Sequence, residues 1–237
     1  MARPPSPVRA LLFDAGHTLL EFDYRLFTDQ LTARGHRVDA AAVRAAERGA
    51  RMRLDVERAQ AASPGRTGEG RYLRYLLDAL GVADEPERRA IAEWRRSFNA
   101  PIGLCHQADP EAADALTRAR ARGWSVGVIS NSNGSVTRAL EIAGLSKHLD
   151  FVVDSSVVGV SKPDARIFGL GLEAAGASPA EAVYVGDSYF VDVVGARRAG
   201  LGAVLFDPGG VWGQRDCTVA TGLCAAVERA AVVPADR

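Results

Sequence analysis

The spacing of apolar and polar positions changes twice along the chain. Val8–Asp14 is a short apolar run placed after prolines and before a glycine-containing turn, the pattern of a buried strand. From about Tyr24 to Asn99 the spacing becomes helical. "DAAAVRAAERGARMRLDVERAQ" opens on Asp39 as an N-cap and brings Val43, Ala46, Met52 and Leu54 near one face. "SPGRTGEG" (63–70) reads as a turn cluster. "RYLRYLLDAL" reads as a helix that stops at Gly81, and Pro86–Ser97 as another. "NAPIGLCHQ" reads as the loop that leads back out.

Beyond that loop helices and strands alternate. Asp109 and Pro110 open a helix that Gly123 closes, and "WSVGVIS" (124–130) is a strand. "VTRALEIAG" is helical, "FVVD" (151–154) extended, and "PDARIFGLGLEAAG" helical again. Ser178 with Glu181 three residues later is a capping sequence leading into the strand Ala182–Val185. A helix through "VDVVGARRAG", a strand "GAVLFD" and a helix near residues 222–230 complete the series. Near-continuous apolar strands between helices predict an α/β fold, a parallel sheet with helices on both faces. The all-helical stretch breaks this alternation, so it is expected to be an inserted domain at 21–103, with the core formed by 1–20 and 104–237.

Composition narrows the function. Among 237 residues, 29 basic and 29 acidic side chains give no net charge, so nucleic-acid binding is not expected as the main task. Three cysteines form no CxxC pair, which favours a reducing compartment over a disulfide framework or zinc site. No apolar run of spanning or signal-peptide length occurs, and a cytoplasmic protein without membrane contact is expected. Only Lys147 and Lys162 are lysines, so arginine is the default cation.

In an open parallel sheet, ligands bind beyond the carboxyl ends of the strands. The polar residues that follow the predicted strands are Asp14, then Ser130 and Asn131, then Ser161 and Lys162, then Asp187, with Asp192 five residues on. Two acids, a hydroxyl and a lysine at successive strand ends suit phosphoryl transfer. Asp14 can attack as a carboxylate, and Asp14 with Asp187 are hard ligands for magnesium. Ser130 and nearby N–H groups can hold phosphoryl oxygens, and Lys162 can offset charge.

The segments "FDAGHTLL", "VISNSNG", "GVSKPDARIF" and "VYVGDSYFVDVVGARRAGL" resemble the four ordered motifs of the haloacid dehalogenase-like hydrolase superfamily, over about residues 8–206. The helical stretch resembles the cap domain that members carry after the first motif. The resemblance implies a Rossmann-like core and makes Asp14 nucleophile and metal ligand. It makes Ser130 and Asn131 substrate-binding and has Lys162 orient nucleophile and substrate. Asp187 becomes a metal ligand, Asp192 a support of the metal shell, and the Gly16 carbonyl a further ligand for Mg2+. The substrate class implied is a small phosphorylated metabolite. Most phosphatases of the superfamily carry a second aspartate where this chain has Gly16. Glycine transfers no proton, and a positioned acid/base is worth roughly 10²–10⁴-fold. A haloacid dehalogenase also lacks that aspartate, and a catalytically weak relative binding phosphate compounds or a partner protein would not need it. His17 beside the gap is expected to pack or to hydrogen-bond within its loop, and His106 to sit in a linker. Among Arg25, Arg51 and Arg53, one or two could face an anionic substrate.

Overall fold

The protein is described by a computed structural model covering residues 8–60, 68–99 and 102–233. The N-terminal tail and most of the "SPGRTGEG" turn lie outside the described residues. In chain order the first elements are β1 (Ala10–Phe13), β2 (Leu20–Phe22), α1 (Tyr24–Ala33), α2 (Ala40–Gln60), α3 (Gly68–Ala79), α4 (Glu85–Asn99) and β3 (Cys105–Ala108). Then follow α5 (Ala112–Ala121), β4 (Ser125–Ser130), α6 (Val136–Ile142), β5 (Phe151–Asp154), α7 (Ser155–Val158), α8 (Ala165–Ala175) and β6 (Ala182–Gly186). A π-helical turn over Tyr189–Val194 runs into α9 (Gly195–Arg198), and β7 (Gly202–Phe206), β8 (Thr218–Ala220) and α10 (Leu223–Ala230) close the chain.

Six strands form one parallel sheet in the order β5-β4-β1-β6-β7-β8. The Rossmann-like arrangement follows from strand composition. Leu11 and Phe13 of β1 join Val126, Val128, Val183 and Val185 in the core on one face. Ala10 and Leu12 join Ile129, Val153, Tyr184 and Leu205 on the other. Successive side chains of a strand point to opposite faces, so runs apolar at every position can exist only where helices cover both.

The helical residues 24–99, with Phe22 of β2, bury a third cluster built on Phe27, Leu31, Leu76, Leu77 and Ile91. Two elements at its junction with the sheet depart from expectation. "LCHQ" is not loop: Cys105–Ala108 pairs antiparallel with Leu20–Phe22, making a two-stranded ribbon at the points where the chain leaves and re-enters the core. Its short strands have only half-buried or exposed positions in β3, so no apolar period marked them. The stretch expected as one helix from Val191 instead begins as the π-helical turn, a form often found at functional sites. Ser178 and Glu181 do form a reciprocal capping box, but on a three-residue 3₁₀ turn.

Two glycines of opposite kind give a test. A Cβ on Gly127 would lie 2.3 Å from the ring of Phe151, its partner on β5, whereas one on Gly49, exposed in the middle of α2, would meet nothing within 4 Å. Gly127→Ala is expected to destabilise the protein by about 1–3 kcal/mol through overpacking. Gly49→Ala is expected to stabilise it by roughly 0.5–1 kcal/mol through lost unfolded-state freedom. Thermal or denaturant unfolding of both variants checks the opposite signs.

Candidate active site

The chain order reverses at β1. From β1 it moves outward through β4 to β5, then returns to the other side of β1 through β6, β7 and β8. Loops on the two sides therefore diverge between β1 and β6, opening a crevice at the carboxyl ends of the strands. Asp14 follows β1 and Asp187 follows β6, so the two acids flank that crevice. Ser130 ends β4 beside Asp154 of β5.

Lys162 lies at the centre. The residue is 4% exposed, and its ammonium donates to Asp14 Oδ1 at 2.6 Å, Asp192 Oδ1 at 2.7 Å and the Tyr184 hydroxyl at 2.8 Å. All three donors of the –NH₃⁺ group are used. Tyr184 in turn donates to the carbonyl of Ile129 at 2.8 Å, tying the site to β4. The other oxygen of Asp192 accepts from the Ser188 amide at 3.0 Å. Burial alone would depress the lysine, but Asp14 and Asp192 outweigh it and hold it protonated above its usual range. Burial pushes the Asp14 carboxyl up to about 6, with Lys162 opposing. Asn131 works on the backbone: its amide donates to the Lys162 carbonyl at 2.9 Å and accepts from the Lys162 N–H at 2.8 Å.

Ligand oxygens of Asp14, Asp187 and Asp192 lie within 4.8 Å of one another. Three hard anionic oxygens this close fit a divalent cation, which would offset their repulsion. Asp14 and Asp187 offer the accessible oxygens, whereas both oxygens of Asp192 are already engaged. Burial pushes the Asp187 carboxyl well above the usual range despite an adjacent arginine. That arginine is Arg51 of α2, whose guanidinium bonds Asp187 Oδ2 and also Glu47 Oε1 at 2.8 Å. Glu47 is fully buried, accepts from the Tyr72 hydroxyl at 3.1 Å and faces His17 Nε2 at 3.3 Å. His17 therefore packs, but outside its own loop: its ring stacks on Phe22 of β2 and faces Glu47 of α2, with a backbone φ of 61°. Burial lowers the imidazole to about 4, so it is neutral at pH 7. Four residues beyond Arg51, Asp55 of the same helix accepts from the Ser188 hydroxyl, the Phe190 N–H at 2.9 Å and the Val191 N–H at 3.1 Å.

Asp14, Gly16, Ser130, Asn131, Lys162, Asp187 and Asp192 all line one cavity of about 630 Å³, roofed by Arg51, Arg58, Tyr72 and Arg95 from the helical residues. A Cβ on Gly16 would sit 3.7 Å from Cys105 Sγ, an ordinary contact, and its φ lies outside the left-handed region. His106 faces Asp23 Oδ2 at 3.4 Å, away from the cavity lining. Sequence reasoning missed Tyr184, Glu47 and Asp55. Each carried a signal: a hydroxyl in an otherwise aliphatic strand, and two acids within the buried stripe that Val43, Ala46, Ala50 and Leu54 form on α2. Arg51 was one of three arginines that sequence alone did not separate. The structure brings it to Asp187, while Arg25 and Arg53 stay exposed on ion pairs with Asp29 and Glu57.

Comparison with known proteins agrees with this geometry. The family model described as haloacid dehalogenase-like hydrolase matches residues 8–200. Human haloacid dehalogenase-like hydrolase domain-containing protein 3 is 31% identical over 212 residues, 84% of this chain and 81% of that protein. A phosphoserine phosphatase of Thermus thermophilus is 38% identical over 141 residues, 59% of this chain, which spans only 54% of that relative. Among solved structures, the magnesium-bound HAD-hydrolase YfnB of Bacillus subtilis aligns with a TM-score of 0.69 at 18% identity, covering 95% of this chain and 99% of that one. A dehalogenase solved with an intermediate gives a TM-score of 0.69 at 21% identity, covering 95% and 98%. At these identities the two structures speak for the fold. With the matched family model spanning four strand ends that deliver an aspartate, a serine, a lysine and an aspartate to one crevice, the chain belongs to the haloacid dehalogenase-like hydrolase family.

Proposed function

We propose that this hydrolase is a magnesium-dependent phosphatase of a small phosphorylated metabolite, working through an aspartyl-phosphate on Asp14. The observation that carries the reading is the position of Lys162 between Asp14 and Asp192 beside a second accessible carboxylate, Asp187. Lys162 holds one oxygen of Asp14 and leaves the other to attack phosphorus. Relatives named as phosphoserine phosphatase, ribulose-1,5-bisphosphate 5-phosphatase and glyceraldehyde 3-phosphate phosphatase support phosphate esters as the substrate class.

In this reading Asp14 forms a bond to phosphorus as the ester oxygen departs, and water then cleaves the phosphoaspartate. Asp14 and Asp187 would hold the magnesium ion with the Gly16 carbonyl, and Asp192 would hold Lys162 in register. Magnesium supplies charge screening between these carboxylates and an incoming phosphate dianion. Ser130 and the N–H groups after β4 would hold phosphoryl oxygens, and Asn131 would fix the Lys162 loop. The helices over 24–99 would act as a cap, held over the crevice by Arg51 on Asp187 and Asp55 on the turn after β6. No carboxylic acid stands at Gly16 to protonate the leaving oxygen, so substrates with good leaving groups are favoured.

Asp14→Asn is expected to abolish phosphate release while keeping the fold, because the amide conserves volume and its oxygen can still accept from Lys162; circular dichroism checks the fold. Phosphate release by wild type should also stop in chelator, and Asp187→Ala should weaken magnesium binding measured by calorimetry. Turnover retained by Asp14→Asn contradicts the covalent reading. Full activity on haloacids in chelator supports a dehalogenase instead.

Space at Gly16 generates a second expectation. Gly16→Asp restores a proton donor two residues from the nucleophile, and an alkoxide departs far less readily than a phenolate. Turnover should therefore rise about tenfold on alkyl phosphate esters and less on aryl esters. Steady-state kcat on both ester types, in variants of checked stability, tests it. No gain, or equal gain on both, would mean that another group already supplies the proton.

A further inference from the structure

One face of α2 points at the cavity with residues 51, 55 and 58, spaced by four and three positions as helix geometry requires. Two of the three are engaged. Arg51 is bound to Glu47 and Asp187, and Asp55 is bound to the turn at Ser188–Val191. Arg58 is not. Its side chain lines the same cavity as Asp14 and Lys162, yet among the described residues it makes no hydrogen bond and no ion pair. It is half-buried, and burial lowers its guanidinium below the usual range; the acids whose charge acts on it are Asp55 and Asp192. A cation drawn partly out of water without a partner is unfavourable unless something else pairs with it. A guanidinium presents a planar fork of donors that matches a carboxylate or a phosphate. Along α2, Arg58 stands seven residues from Arg51, about 10 Å of helix axis, so the two arginines enter the cavity at separate points along the helix.

We propose that Arg58 binds a second anionic group of the substrate, a carboxylate or a further phosphate carried a few bonds from the phosphoryl group that Asp14 attacks. The proposal rests on the phosphatase reading above, and it makes Arg58 a specificity residue supplied by the helical cap. A matched ester without the second anion fills the same crevice but leaves the guanidinium unpaired.

Matched pairs test it. Phosphoglycerate and glycerol phosphate share a carbon skeleton and differ in a carboxylate; fructose bisphosphate and fructose monophosphate differ in a second phosphate. Wild type is expected to favour the anionic member of at least one pair by roughly 10–100-fold in kcat/KM, mainly through KM. The pair that shows it identifies the anion. Arg58→Ala should remove that preference while changing the esters without a second anion by no more than about twofold, and Arg58→Lys should restore part of it. Unfolding midpoints of the variants check that the fold is kept. No preference in wild type, or an equal loss on both members in Arg58→Ala, overturns the proposal. Calorimetric binding of phosphonopropionate against propylphosphonate separates this from the hydrolase reading, since neither is cleaved. Tighter phosphonopropionate binding in wild type but not in Arg58→Ala, with no ester hydrolysed, keeps the anion site and discards the phosphatase. Equal binding of the two phosphonates, or none, together with no preference in either ester pair, discards the anion site. Ester hydrolysis without preference discards the anion site alone.

Discussion

A protonated lysine removed from water among carboxylates is the constraint on which the rest of this site depends. Stripped of its hydration, an ammonium is costly unless every donor finds a partner and an opposite charge stands close. Lys162 meets both conditions with Asp14, Asp192 and Tyr184, and each partner comes from a different part of the fold. Asp14 ends β1, Tyr184 is inside β6, and Asp192 projects from the π-helical turn. The lysine loop is held by Asn131, which follows β4. These elements meet only because the strand order reverses at β1, so the topology of the sheet and the charge balance of the crevice form one solution.

The helical residues are joined to that crevice by charge. Arg51 reaches Asp187 from α2, and Asp55 caps the N–H groups of the turn that carries Asp192. One face of one helix thus touches both acids beyond β6, directly or through a turn. Glu47 fixes Arg51 from behind while being buried itself, and it is held below its usual range because His17 and Arg51 outweigh the burial that would raise it. The same network accounts for His17, whose imidazole is held between Glu47, Cys105 and Phe22. A Cβ at Gly16, by contrast, would meet Cys105 only at ordinary contact distance, so crowding does not exclude a side chain there.

Much of this was legible in the chain. The strands of the parallel sheet announce themselves because both faces are buried, so Leu11–Phe13, Val126–Ile129 and Val183–Val185 are apolar without interruption. The strand-end residues were legible for the same reason: a polar residue after such a run has to emerge at the crevice. What stayed hidden is what depends on contacts between distant segments. Tyr184 reads as a core aromatic until Lys162 stands over it. Glu47 and Asp55 sit in the apolar stripe of α2, but their partners, Arg51 and the turn after β6, appear only once α2 is packed on the sheet. Leu20–Phe22 and Cys105–Ala108 are too short and too unevenly buried to carry a period, yet their pairing sets where the helical residues leave and rejoin the core. The role of Arg58 is invisible to spacing, since one arginine in an arginine-rich helix has no distinguishing pattern.

Covalent chemistry at Asp14 is the central claim, and chemical trapping reaches it most directly. Borohydride reduces a carboxyl–phosphate anhydride to the alcohol and leaves a free carboxylate untouched. With no carboxylate at Gly16 to activate water, phosphoaspartate should accumulate during turnover of a phosphate ester with magnesium. Peptide mapping of protein quenched in borohydride during turnover should therefore find homoserine at position 14, and none in protein quenched without substrate. Phosphate release with position 14 unreduced, or with homoserine at another carboxylate, contradicts the account.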